Sequence, residues 1–207
     1  MSKQVEFFFD VGSPASYLAW TQLPALCERA GATLAWRPML LGAVFQATGN
    51  ASPASVPAKG RYMTGDLARH ARRYGVPFVM NPHFPVNTLA LMRGAAGAQL
   101  RAPERLETYL RGVFQAMWVD ALNLNDPAIV AQALGAAGFD AAEVMGWVGD
   151  AEVKAALRAT TEEAVARGVC GAPTMFVGDE MFCGQDRLEF VREALGRASN
   201  AAASAAK

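Results

Sequence analysis

Reactive side chains are scarce in this chain. Of 207 residues, only two are histidine and three are cysteine. His70 and His83 lie at no metal-ligand spacing from a cysteine, which argues against a structural zinc site. A Ser-His-Asp hydrolase would have to use one of those two histidines, and no Gly-x-Ser-x-Gly elbow is present. Cys27, Cys170 and Cys183 are odd in number and unrelated in spacing, which suits free thiols in a reducing compartment better than a disulfide framework. Net charge is missing as well: 19 basic residues face 19 acidic ones. That leaves no electrostatic reason to expect nucleic acid or an anionic membrane as partner. No apolar run approaches the roughly 18 residues that span a bilayer. The first ten residues, "MSKQVEFFFD", lack the apolar stretch and small-residue cleavage site of a secretory signal, so a cytoplasmic location is expected.

What is present is a change of period along the chain. Val5 to Asp10 is a short apolar strand, Ser16 to Ala30 has helical spacing and stops at Gly31, and "TLAWRPML" reads as a second strand. This order predicts a parallel pair with a right-handed crossover. From Ala43 the composition shifts, and "QATGNASPASVPAKG" reads as a loop. Helical patterns then follow over 61–74, 88–100, 104–122, 128–137 and 141–148. Asp126-Pro127 supplies an N-cap and first helical residue, and Asp140 with Glu143 a capping box. The last third returns to mixed structure: a helix over 152–167 ending at Gly168, a hairpin in "TMFVGDEMFC" turning at Gly178-Asp179, and a closing helix in "DRLEFVREAL" capped by Asp186 with Glu189 three residues on. The alanine-rich tail, 199–207, is expected to be disordered. The predicted class is α/β: a thioredoxin-like fold made of residues 1–45 and 152–198, with an all-helical subdomain, 46–151, inserted.

The turn Ser13-Pro14-Ala15-Ser16 stands where thioredoxin-like oxidoreductases carry Cys-x-x-Cys. With serine at both positions, thiol–disulfide exchange is excluded, since it needs a cysteine there. Two readings remain for Ser13. It is a helix N-cap, or its hydroxyl donates to a thiolate held at a helix N-terminus, where the dipole favours an anion. As a nucleophile it would need a neighbouring base, and no histidine is near in sequence. Pro173, in "GAPTMFV", either opens an edge strand in trans or forms a cis bond.

Five segments in order, "FDVGSPASYLA", "VPAKGRYM", "FPVNTLALMR", "GAPTMFVGD" and "GQDRLEF", resemble the 2-hydroxychromene-2-carboxylate isomerase family, in the group shared with kappa-class glutathione transferases and DsbA. The resemblance spans roughly Val5 to Leu195. It implies glutathione as cofactor, with Ser13 as the catalytic residue that holds the cofactor's thiolate, and it favours cis for Pro173. A cis turn would free the N–H and C=O of Ala172 to pair with the cysteinyl portion of the tripeptide. By the same resemblance Asn50, Lys59, Ala172, Pro173, Gln185, Asp186 and Arg187 form the cofactor site. Lys59, in a loop, meets the glycyl carboxylate, and Asp186 meets the γ-glutamyl ammonium group. Gln185 departs from the serine of kappa-class enzymes. Against these stand plainer readings: Lys59 as a solvated loop lysine, and Asp186 as an N-cap.

Asn87 is either the N-cap of the next helix or a substrate contact. Phe45, Phe84 and Trp118 either line an aromatic-substrate pocket or are core. Arg69, Arg72 and Arg73 read as one solvated helix face, and Cys170 as inert packing. The resemblance implies interconversion of 2-hydroxychromene-2-carboxylate and trans-o-hydroxybenzylidenepyruvate in aromatic degradation, with a small aromatic 2-oxo-acid substrate; no metal is expected from the residue spacings, and a homodimer is left open. A kappa-like transferase and a non-catalytic thioredoxin-like binding module are the alternatives.

Overall fold

The computed structural model describes the backbone of residues 3–205 and the side chains of residues 3–198. Strand β1 (Gln4–Phe9) leads through helix α1 (Pro14–Ala30) to β2 (Thr33–Pro38), and the two strands pair in parallel from Gln4↔Thr33 to Phe9↔Pro38. Helices α2 (Leu41–Thr48), α3 (Pro57–Tyr74), α4 (Leu89–Arg101), α5 (Leu106–Trp118), α6 (Pro127–Ala136) and α7 (Ala141–Gly149) follow. Helix α8 (Ala151–Ala166) returns to the sheet, and β3 (Thr174–Val177), β4 (Glu180–Cys183) and α9 (Leu188–Ala205) complete the chain. The sheet order is β2-β1-β3-β4, with β3 antiparallel to β1 and β4 antiparallel to β3. The expected parallel pair and hairpin are both present.

Strand β1 is central and buries phenylalanines on both faces, while its one charged residue inside the run, Glu6, pairs with Arg37 and Arg167. Phe7 and Phe9 enter the larger core with Tyr17, Leu23 and Trp118. Phe8, pointing the other way, packs with Met39, Val44, Val169 and Phe176. The larger core is continuous from the sheet through α1 into α4, α5 and α7. Gly31 ends α1 in the left-handed conformation at φ +61°, which glycine adopts without penalty. Asp126 and Asp140 cap α6 and α7 as expected, accepting from Ala128 and Ala142 N–H. Glu143, however, reaches Arg105 at 3.6 Å.

Several boundaries differ from expectation. Helix α2 occupies part of the segment read as a loop. Helix α3 starts at Pro57 rather than Arg61, because proline is pre-organised for a first helical position and its missing N–H costs nothing there. Lys59 therefore lies on the first turn of a helix. Helix α5 stops at Trp118, four residues early, where the buried Asn81 amide donates to the carbonyls of Met117 and Leu122, each at 2.9 Å. Before α9, Gly184 at φ +102° leads a 3-10 turn over Gln185–Arg187 with no side-chain cap. The Asp186 carboxylate instead meets the Arg187 guanidinium at 2.7 Å. The backbone of α9 also runs to Ala205, into the tail expected to be disordered; residues 206–207 lie outside the described residues.

Candidate active site

A cleft of about 740 Å³ opens at the C-terminal end of β1, where the turn into α1 meets α2, the loop before α4 and the segment before β3. Ser13, Asn50, Asn87 and Ala172 all line it, with Asp10, Phe45, Phe84 and Thr88. Trp118 does not: it is fully buried and its indole donates to Val11 C=O at 2.8 Å.

Ser13 sits in extended conformation at the head of the 17-residue α1, with Pro14 as first helical residue. Its Oγ accepts from Ser16 N–H at 3.1 Å and donates to Ala172 C=O at 2.9 Å. The oxygen that caps the helix is thus also the one bonded to Ala172. The Ala172–Pro173 bond is cis, as is Phe84–Pro85, which the sequence reading did not anticipate. The Ala172 carbonyl is therefore not free, contrary to expectation, whereas its N–H makes no hydrogen bond among the described residues. The Ala15 N–H, one of the amides a helix start leaves over, also has no partner among the described residues. Ala15 and Ala172, both lining the cleft with Ser13, thus each carry an unpartnered N–H among the described residues.

Asn87 stands one residue ahead of Thr88, the N-cap of α4. Its Oδ1 accepts from Leu89 N–H, the first helical amide, at 3.1 Å, while its side-chain amide N–H groups have no partner among the described residues. Asn50 is spoken for: it donates to Cys170 C=O at 2.7 Å and accepts from Ala51 N–H at 2.8 Å, tying the loop after α2 to the strand-entry segment.

The remaining expected residues do not line the cleft. Lys59 is exposed, in a depression formed with Ala58, Tyr62 and Asp66 that shares Pro53 and Met63 with the cleft. Its ammonium group has no partner among the described residues. Pro173 is buried behind Ala172. Gln185 is buried, its carbonyl accepting from Tyr74 Oη at 3.0 Å. Asp186 and Arg187 are paired and exposed.

Asp10 was not anticipated. It is 1 % exposed. Its Oδ1 accepts from Gly12 N–H at 2.9 Å, and its Oδ2 from Leu41 N–H at 2.9 Å and Thr88 Oγ1 at 3.1 Å. Burial raises its pKa, and the three donors oppose that only in part. Gly12 permits the arrangement, since a Cβ there would come within 2.6 Å of Thr88 Cγ2. An aspartate closing a run of phenylalanines is the signal that was available.

A DSBA-like thioredoxin domain profile matches residues 4–196. The 2-hydroxychromene-2-carboxylate isomerase of Sphingobium xenophagum is 32 % identical over 197 residues, covering 94 % of this chain and 99 % of that protein. A solved 2-hydroxychromene-2-carboxylate isomerase superposes with a TM-score of 0.85 at 30 % identity, covering 97 % of this chain and 98 % of that one. The chain belongs to the 2-hydroxychromene-2-carboxylate isomerase family, within the DSBA-like thioredoxin domains. Human glutathione S-transferase kappa 1 is 29 % identical, over 95 % of this chain and 92 % of that protein.

Neither Cys27 nor Cys183 is a poised nucleophile. Burial pushes the Cys27 thiol up to about 11. Desolvation also raises Cys183, which lines the cleft. Cys170 is exposed and meets Asn50 through its carbonyl rather than its sulfur. No cluster of metal-ligating side chains occurs among the described residues.

Proposed function

We propose that this chain is a glutathione-dependent isomerase that interconverts 2-hydroxychromene-2-carboxylate and trans-o-hydroxybenzylidenepyruvate. One observation carries the reading: a serine hydroxyl, held at a helix N-terminus beside unpartnered Ala15 and Ala172 N–H groups, in a cleft without an activated thiol of its own. The residues fit the tripeptide. The Ala172 N–H suits its backbone, the free Lys59 ammonium on the adjoining depression suits a carboxylate, and Asp186 suits an ammonium group if Arg187 shares it.

Bound glutathione supplies a thiolate that adds reversibly to the conjugated double bond, so that rotation occurs about a single bond and the cofactor is regenerated. The chain's part is to hold and screen. Ser13 Oγ stays fixed by Ser16 N–H while its proton turns from Ala172 C=O to the thiolate, a charge-assisted bond stronger than the one given up. The N-terminus of α1 adds the field of its dipole and the Ala15 N–H. Phe45 and Phe84 provide apolar walls for an aromatic ring, and the unpartnered Asn87 amide suits a substrate oxygen. A kappa-like transferase would use the same site, and the relative named above keeps that reading open. Product analysis separates them, since an isomerase returns free glutathione.

The test is the thiolate absorbance of bound glutathione followed against pH. Ser13→Ala should raise the bound thiol's pKa and lower turnover about ten- to a hundredfold, as loss of about 1.5–3 kcal/mol implies. Affinity for S-methylglutathione should hold. Failure to bind either tripeptide at millimolar concentration would overturn the reading; an unmoved titration would return Ser13 to a helix cap.

A further inference from the structure

A second cavity, of about 650 Å³, lies between α2, α4 and α8. Leu40, Ala43, Ala47, Leu89, Leu157 and Val165 give it an aliphatic lining. Arg93 of α4 and Lys154 and Arg158 of α8 stand on its walls, against one carboxylate, Glu162. On α8 the lining residues 154, 157, 158, 161, 162 and 165 recur at helical spacing, so a single face presents them. None of the three cations makes an ion pair or side-chain hydrogen bond among the described residues, although two carboxylates of α8 do find partners, Glu152 in Arg101 of α4 and Glu163 in Arg37 of β2. Arg93 and Lys154 are moreover half-buried. Partly desolvated cations without a partner are unfavourable, and like charges one turn apart on α8 repel. An apolar bowl with unneutralised cations at its wall is complementary to an anion carrying an apolar body.

We propose that this cavity is a binding site for an amphipathic organic carboxylate, its hydrocarbon part against Leu89, Leu157 and Val165 and its head between Arg93 and Lys154. The volume falls in the range of small-molecule sites. The site is separate from Ser13 but adjoins its cleft, sharing Leu40, Ala43 and Leu89. Two successive amides join the two: Leu40 N–H donates to Thr161 Oγ1 at 3.0 Å on the α8 side, and Leu41 N–H to Asp10 Oδ2 at 2.9 Å on the catalytic side. An occupant therefore bears on the segment that helps hold Asp10.

The test is calorimetry of the full chain with 1-naphthoate and with octanoate, the aryl and alkyl forms of this chemistry, in parallel with the uncharged 1-naphthalenemethanol and octanol and with acetate, a carboxylate without an apolar body. Saturable binding is expected for at least one of the two carboxylates, and at least tenfold weaker binding for the alcohols and for acetate. The double variant Arg93→Gln/Lys154→Gln should weaken the carboxylate tenfold or more, while S-methylglutathione binding, which needs the intact fold, stays unchanged. Ala47→Trp, which fills the bowl from α2, should abolish uptake without touching the cations. Ser13→Ala should leave it unaltered. The proposal is overturned if neither carboxylate saturates at millimolar concentration, if the double variant binds as the parent does, or if neutral and charged forms bind alike. It is equally overturned if these substitutions only dissociate a dimer in the ultracentrifuge.

Discussion

Asp10 is held against its preference for water, and its role shows in the pH dependence of stability. Its three donors come from Gly12, Leu41 and Thr88, so the carboxylate joins the strand end to the starts of α2 and α4. Because burial raises its folded pKa above the ordinary 3.8, the folded chain holds the proton more tightly than the unfolded chain does. Stability therefore declines as pH rises from the ordinary value to the raised one, and is level above it. Asp10→Asn should remove that slope. It should also cost about 1–3 kcal/mol near neutrality, since an amide cannot accept from Leu41 N–H and Gly12 N–H with both atoms. Urea midpoints of parent and variant from about pH 4 to 8 check this; parallel slopes would show that Asp10 ionises alike folded and unfolded. Ser13 was legible in sequence because its setting is local, a strand, a turn and a proline-started helix. Asp10 was not, because what buries it lies about 30 and 80 residues away.

At the scale of elements, periodicity located most of the helices and the hairpin; apart from α2, which occupies part of a segment read as a loop, the errors fell at ends. "VPAKG" is framed by the residues of a loop, yet Pro57 starts α3 and places Lys59 on a helical turn. The α5 terminus was illegible because Asn81, in another segment, supplies the amide that ends it. The junction of α7 and α8 shows how an end is fixed: Asp150 caps α8 through Glu152 and Val153 N–H at 2.7 and 3.1 Å, and meets Arg101 of α4 at 3.2 Å. The Val153 N–H leads in holding its carboxyl below the usual value, with Glu152 N–H and Arg101 adding to it. A lowered folded pKa stabilises above the ordinary value and loses that contribution as pH falls through the lower one. Asp150→Asn should thus be less stable than the parent at about pH 6, with the gap closing toward about pH 3. A gap that persists in acid would place its origin in cap geometry rather than charge.

For the whole molecule, the division into a thioredoxin-like frame and a helical insertion follows from the order of patterns, but the packing does not respect it. The larger hydrophobic cluster holds Phe7 and Phe9 of the frame together with Phe114, Trp118 and Leu134 of the insertion. Polar contacts cross as well: Tyr17 Oη donates to Pro77 C=O at 2.6 Å, Trp118 Nε1 to Val11 C=O at 2.8 Å, and Thr88 Oγ1 to Asp10. The cleft lies along this seam, so its two sides keep their spacing only while the seam is closed. The chain should then unfold as one cooperative unit, with calorimetric and van't Hoff enthalpies equal. Trp118→Phe removes the donor to buried Val11 C=O and some ring volume. It should lower stability by about 1–3 kcal/mol while keeping a single transition, and it should weaken glutathione binding although Trp118 lines no part of the cleft. Two resolved transitions, or an excised 46–151 segment that melts cooperatively on its own, would show that the insertion is an independent domain and that the seam is a docking surface rather than a core.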